Sequence, residues 1–180
     1  MKHAPSFADH MYRYAFALRY CYKKDVLDAG CKEGFGAQML SWVAKSITLA
    51  DVNGKWLDIA QKVGGYACEK RLEYVNFERA FVRGEWDTIV AFEIIEHLEN
   101  PDLFLENVVS HLRPEGVLVF SVPHMMPAED HKHLYDADKI KELVGKYLDI
   151  KEFYVQDKEP YTDRTLYKNL TCYIGVAHKR

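Results

Sequence analysis

DVLDAGCKEGFG, residues 25–36, is the stretch on which the reading of the fold turns. It begins as a short apolar run ending in Asp28 and Gly30, then adds Gly34 and Gly36 and opens a segment with helical spacing. A strand passing through a glycine-rich turn into a helix is the ligand-cradling corner of a parallel α/β sheet. Glycine spacing discriminates among ligands. A dinucleotide fingerprint needs G-x-G-x-x-G, but from Gly30 the next two glycine positions hold Lys32 and Phe35, and from Gly34 the last holds Met39. The Gly-Lys-Ser/Thr ending of a phosphate loop is missing too. What remains is D-x-G-x-x-x-G, an acid at a strand end followed by two glycines four apart. Lys32 would sit most comfortably there at negative φ, because a left-handed lysine costs roughly 1–2 kcal/mol. Its side chain then points to solvent or reaches an anionic ligand group.

Outward from this corner, apolar runs alternate with amphipathic stretches. DVLDAG (25–30), SITLAD (46–51), LEYVN (72–76), WDTIVAFE (86–93) and VLVFSVP (117–123) read as strands, most of them too apolar for a one-sided sheet. Residues 34–45, 54–64, 101–112 and 137–148 read as helices, with Asn100 as a cap before Pro101. IKEFYVQD (150–157) and LTCYIGVAHK (170–179) are strands with no helix between them, which predicts an antiparallel pairing. The expected architecture is a doubly wound, Rossmann-like α/β fold. Its seven-stranded sheet is mostly parallel with the last strand antiparallel, and helices cover both faces. FADHMYRYAFALRYCY (7–22) reads as an aromatic helix packed near the first strand. Trp42 and Trp56 read as packing residues, and KEPYTDRTLYKN (158–169) as a solvated turn.

At 180 residues the chain fits one domain, 1–180, large enough to bury a core. A net charge of -3 offers neither nucleic acid nor an anionic membrane a bulk electrostatic attraction. Cys21, Cys31, Cys68 and Cys172 form no C-x-x-C pair, so free thiols in a reducing cytoplasm are expected. No stretch reaches membrane-spanning length, and the N-terminus lacks a signal-type apolar segment. The expectation is a cytoplasmic protein, monomeric or homodimeric, without membrane insertion.

The D-x-G-x-x-x-G corner resembles the first motif of class I S-adenosylmethionine-dependent methyltransferases, roughly D-x-G-C-G-x-G. Asp28, Gly30, Cys31 and Gly34 match, and Lys32 replaces the middle glycine. Asp51 follows Gly30 by 21 residues and opens ADVNGKWLDIAQ, which is similar to the family's ribose-binding acid and following helix. WDTIVAFEIIEHLENP (86–101), LRPEGVLVFSVPH (112–124), HKHLYDADKIKELV (131–144) and HMYRYAFA (10–17) resemble the subgroup that holds the ubiquinone-biosynthesis O-methyltransferases and related small-molecule methyltransferases. The resemblance implies S-adenosylmethionine as cofactor and S-adenosylhomocysteine as product. It implies a cofactor site built from Asp28, Gly30, Lys32, Gly34, Asp51, Val52, Asn76, Phe77, Phe92 and Glu93. Asn76 and Phe77 occupy the place that reads the adenine.

Methyl transfer needs an oriented nucleophile, exclusion of water and a proton acceptor for a hydroxyl or amine. Glu93, Glu96 and His97 are spaced i, i+3, i+4, so a helical turn would put them on one face. His124, His131 and His133 follow in the loop after the fifth strand. His97 and His131 are the candidate catalytic bases. No metal is assigned, although the family's small-RNA 3′-end enzymes use a Glu-x-x-Glu-His plus a distant His, and Glu93, Glu96, His97 and His131 offer such a set. The acceptor expected is a small molecule or glycan. RNA 3′ ends, a catalytically silent cofactor-binding module and a nicotinamide-dependent oxidoreductase stand as rivals. The acidic balance and the failed glycine spacing count against the first and last.

Overall fold

The computed structural model describes residues 7–157 and 170–180, so the expected turn at 158–169 lies outside the described residues. In chain order the elements are α1 (Phe7–Cys21), β1 (Asp25–Ala29), α2 (Phe35–Ser41), β2 (Ser46–Asp51), α3 (Gly54–Lys62) and β3 (Glu69–Tyr74). There follow β4 (Trp86–Phe92), a single 3-10 turn (Ile95–His97), α4 (Pro101–His111), β5 (Leu112–Pro123), α5 (Ala137–Gly145), β6 (Asp149–Asp157) and β7 (Leu170–His178). The sheet runs β3-β2-β1-β4-β5-β7-β6. β1 to β5 are mutually parallel, and β7 runs antiparallel to both of its neighbours. The expected fold is borne out, with the reversed last strand one place in from the edge.

Strand periodicity sorts the core into two layers. Leu27, Ile89 and Leu118 face one way and pack with Phe104 of α4 and Ile140 and Val144 of α5. Val26, Val90 and Val119 face the other way, with Tyr14 and Ala17 of α1 and Ala37 and Leu40 of α2. Burial on both faces explains why these strands read as continuous apolar runs. The chain leaves β1 for β2 on one side and returns at β4 on the other, so the order reverses between β1 and β4. In such sheets the crevice beyond the strand ends at that reversal is where ligands bind.

Several local expectations need correction. The second helix stops at Ser41 rather than 45, because Val43 and Ala44 turn back onto the Leu40 carbonyl and Lys45 N–H donates to the Lys24 carbonyl to enter β2. β3 begins at Glu69, ahead of the apolar run at 72–76; an edge strand pairs on one side only and tolerates Glu69, Lys70 and Arg71. Trp42 is 63% exposed and packs in no core. Among the described residues no helix is long and apolar enough to cross a membrane.

Candidate functional site

The glycine corner is built by backbone bonds. Gly30 N–H and Cys31 N–H both donate to the Ala50 carbonyl, at 2.8 and 3.2 Å, tying the end of β1 to β2. Gly30 and Gly34 take φ of 78° and 79°, which a side chain would strain. Lys32 is also left-handed, with φ 47°, against the expectation of negative φ. The compensating bond comes from β2: in this conformation the Lys32 N–H donates to Asp51 Oδ2 at 2.9 Å. Asn53 N–H donates to Asp51 Oδ1 at 2.8 Å. The Asp51 carboxylate is thus held rigid at a strand end, with lone pairs left for neighbouring hydroxyls.

Two cavities meet at this corner, sharing Gly30, Lys32 and Trp56. One, of about 270 Å³, lies between α1 and the glycine loop and reaches Gly34, His10, Tyr14 and Phe92. The other, of about 440 Å³, runs over the ends of β2, β3 and β4 and reaches Asp51, Val52, Asn76, Phe77, Glu93 and His97. Trp56, expected to be packing, therefore lines the cleft. Val52 is exposed at its edge, while Phe77 is 5% exposed and stacks edge-on against Phe81 and Phe104. Asn76 Oδ1 accepts from Glu78 N–H at 2.9 Å, which fixes the amide at the rim. Asp28 lies behind the loop with no exposed surface, and the Tyr14 hydroxyl sits 3.2 and 3.1 Å from its two oxygens. Burial pushes the Asp28 carboxyl up to about 7; the Tyr14 bond opposes this and Asp51 adds to it.

Glu93, Glu96 and His97 do not share one helical face. Glu93 is left-handed, with φ 53°, and the 3-10 turn begins only at Ile95. Glu93 is drawn toward β5 instead: its N–H donates to the Ser121 carbonyl at 3.1 Å, and its Oε1 accepts from Ser121 Oγ at 2.8 Å. The structure brings together Glu96, His97 and His131, whose ligand atoms lie within 4.8 Å of one another, and leaves Glu93 outside that set. The loop after β5 is pinned there by Lys132 and His133 N–H groups donating to the Glu96 carbonyl, at 2.8 and 3.2 Å.

Chemistry fixes the tautomers of the two imidazoles. His97 Nδ1 lies 3.1 Å from the Asp130 carbonyl and His131 Nδ1 lies 2.7 Å from the Met126 carbonyl. A carbonyl only accepts, so each Nδ1 carries a proton, and in the neutral ring the lone pair is on Nε2. His97 Nε2 is 3.8 Å from Glu96 Oε1, too far for a hydrogen bond. Glu96 is 1% exposed, and among the described residues neither of its carboxyl oxygens has a hydrogen-bond partner. Burial, then the Glu93 charge, push its carboxyl well above the ordinary range. A buried carboxyl with no hydrogen-bond partner among the described residues, beside two imidazoles, suits a divalent cation or a transferred proton.

Three residues of the site were hidden from the sequence reading: His10, Arg13 and Tyr14 of α1. The signal was there in HMYRYAFA, where three polar-headed side chains at i, i+3 and i+4 interrupt an aromatic helix.

Comparison with known proteins places the chain's fold and family. The chain is 29% identical over 111 residues to a mitochondrial ubiquinone biosynthesis O-methyltransferase of Schizosaccharomyces pombe, covering 59% of this chain and 40% of that protein. It is 27% identical over 147 residues to a probable S-adenosylmethionine-dependent methyltransferase of Mycobacterium tuberculosis, covering 77% of this chain and 53% of that one. The chain thus spans about half the length of these relatives. In fold it is similar to the N-methyltransferase NodS of Bradyrhizobium japonicum WM9, solved with S-adenosyl-L-homocysteine, with a TM-score of 0.75, 18% identity and coverage of 95% and 87%. It is also similar to the [4+2]-cyclase SpnF, with a TM-score of 0.80, 14% identity and coverage of 99% and 84%. That pair of structures shows that the fold by itself does not fix the reaction. A model of the methyltransferase domain family matches residues 7–149, most of this chain, and the chain belongs to that family.

Proposed function

We propose that the chain transfers a methyl group from S-adenosylmethionine to a hydroxyl or amine of a small molecule or glycan. The observation that carries this reading is the cleft that the two adjoining cavities make at the sheet's order reversal. It runs from the α1 cavity past Asp51 and Asn76 and opens at His97. When bound, the donor supplies a methyl already activated on a sulfonium. The chain's own residues then have to hold the donor, orient the acceptor and take its proton. Asp51 is the acceptor for the ribose hydroxyls; Asn76 and Phe77 form the base end. The names of the relatives support both oxygen and nitrogen acceptors, since one is an O-methyltransferase and one fold neighbour an N-methyltransferase.

For proton removal, the Nε2 lone pairs of His97 and His131 are the bases. A second reading is favoured by Glu96: its two buried oxygens, without a hydrogen-bond partner among the described residues, fit Glu96, His97 and His131 as ligands of one divalent cation. Such a cation would polarise the acceptor hydroxyl. Methyl transfer from labelled donor to a panel of phenols, sugars and amines tests the proposal. Loss on chelation, with recovery on adding a divalent cation, supports the metal reading. Full activity after chelation, with a loss of about 10²–10⁴-fold in His97→Ala, supports the base. Donor binding without turnover on any acceptor supports a silent module instead.

A further inference from the structure

Arg13 of α1 has no exposed surface, and no carboxylate among the described residues pairs with its guanidinium. Nη1 donates to Gln156 Oε1 at 2.9 Å and to Cys172 Sγ at 3.3 Å, while Nε has no partner among the described residues. Gln156 is itself oriented by donating its amide Nε2–H to the Asp9 carbonyl at 3.1 Å. β6 and β7 therefore hold the guanidinium in place. Its remaining nitrogen, Nη2, lies 2.7 Å from His10 Nδ1.

That contact has one chemical solution. A guanidinium only donates and stays charged, so His10 Nδ1 must present a lone pair. An imidazole that accepts at Nδ1 is neutral and carries its proton on Nε2. Burial first, then the charges of Arg13 and Lys32, push the His10 imidazole down to about 4, with Asp9 opposing. His10 lines the α1 cavity together with Lys32 and the loop from Gly30 to Gly36. The cavity lining thus offers an imidazole N–H donor and the Lys32 ammonium to an anionic oxygen, with the Glu33 carboxylate on the same wall to face an ammonium.

We infer that His10, with its tautomer fixed by Arg13, donates Nε2–H to the carboxylate at the amino-acid end of the methyl donor. This rests on the cleft reading proposed above: with Asp51 and Asn76 at the nucleoside end, the α1 cavity is left for the amino-acid end. Here Arg13 is a positioning residue and His10 a binding residue.

Calorimetry on the whole chain separates the two ends of the donor. S-adenosylhomocysteine has both; 5′-methylthioadenosine keeps the nucleoside and thioether and lacks the amino acid. His10→Phe should weaken S-adenosylhomocysteine by about tenfold or more and leave 5′-methylthioadenosine within about twofold. Equal weakening of both ligands, or of neither, overturns the inference. Asp51→Ala should weaken both; unchanged binding of both would sink the cleft reading instead. The role of Arg13 is read without relying on a variant: the wild-type imidazole ¹⁵N spectrum at neutral pH should show His10 protonated at Nε2 alone. A proton on His10 Nδ1 overturns the positioning role. In a folded Arg13→Gln protein that preference should disappear, with S-adenosylhomocysteine weakened and 5′-methylthioadenosine not.

Discussion

A carboxyl without exposed surface, as Asp28 is, keeps its proton to higher pH than the same group in the unfolded chain, where the ordinary value is 3.8. Between that value and about 7 the folded state binds more protons than the unfolded one, so stability falls as pH rises across this window. Glu96, also raised by burial, acts in the same direction. Asp25 acts oppositely. Its bonds from Ser46, Arg113 and Lys45 outweigh its burial and hold it down to about 2, so its contribution is present above 3.8 and lost as pH falls through 2. Urea midpoints of the ligand-free protein at about pH 5 and about pH 8 should therefore differ more in wild type than in Asp28→Asn. An unchanged difference would contradict the account of Asp28. Lys32 makes a second residue-level prediction. Replacing its left-handed conformer with glycine relieves roughly 1–2 kcal/mol, less about 0.5–1 kcal/mol of glycine entropy. Lys32→Gly should thus stabilise the chain by up to about 1.5 kcal/mol in urea unfolding while weakening S-adenosylhomocysteine severalfold. The glycine spacing around Lys32 was legible in the sequence. Its φ was not, because the compensating bond goes to Asp51, 19 residues away in the chain.

At the scale of elements, α1 meets α2 and β1 at a close approach, beside its bonds to β6 and β7. A Cβ on Gly36 would lie 2.1 Å from the Tyr14 ring, whose hydroxyl is bonded to Asp28 of β1 and whose face meets Phe92 edge-on. Gly36→Ala forces that ring aside and should cost about 1–3 kcal/mol of stability by chemical denaturation. Tyr14→Phe leaves the buried carboxyl without its donor and should cost about 1–3 kcal/mol, more at high pH than at low. The inner strands β1, β2 and β4 were legible because they are buried on both faces and read as apolar runs. β3 was read late because an edge strand carries charge, and α2 was read long because apolar Val43 and Ala44 continue its pattern past the turn. EIIEHL has helical spacing, yet Ser121 bonds Glu93 at both backbone and side chain and unwinds the first step. Spacing alone gives no view of a partner on another strand.

Across the whole molecule, the order β3-β2-β1-β4-β5-β7-β6 lines up the ends of β1, β2 and β4, so that Gly30, Asp51 and Phe92 border one cleft. Topology also joins the 3-10 turn after β4 to the loop after β5, which makes neighbours of Glu96, His97 and His131. The sequence named His97 and His131 by residue type and position after adjacent strands. It could not show that Glu96 is buried without a hydrogen-bond partner among the described residues, since that depends on loop packing. Nor could it show that α1 supplies His10 to the cleft, because an aromatic helix reads as core. The central claim, that this cleft holds a methyl donor by its ribose on Asp51, is tested most directly by titrating S-adenosylhomocysteine into wild type and Asp51→Ala by calorimetry. The account predicts saturable binding to wild type and a loss of at least about tenfold in the variant. Equal affinity of the two proteins, or binding of NAD in place of S-adenosylhomocysteine, would contradict it.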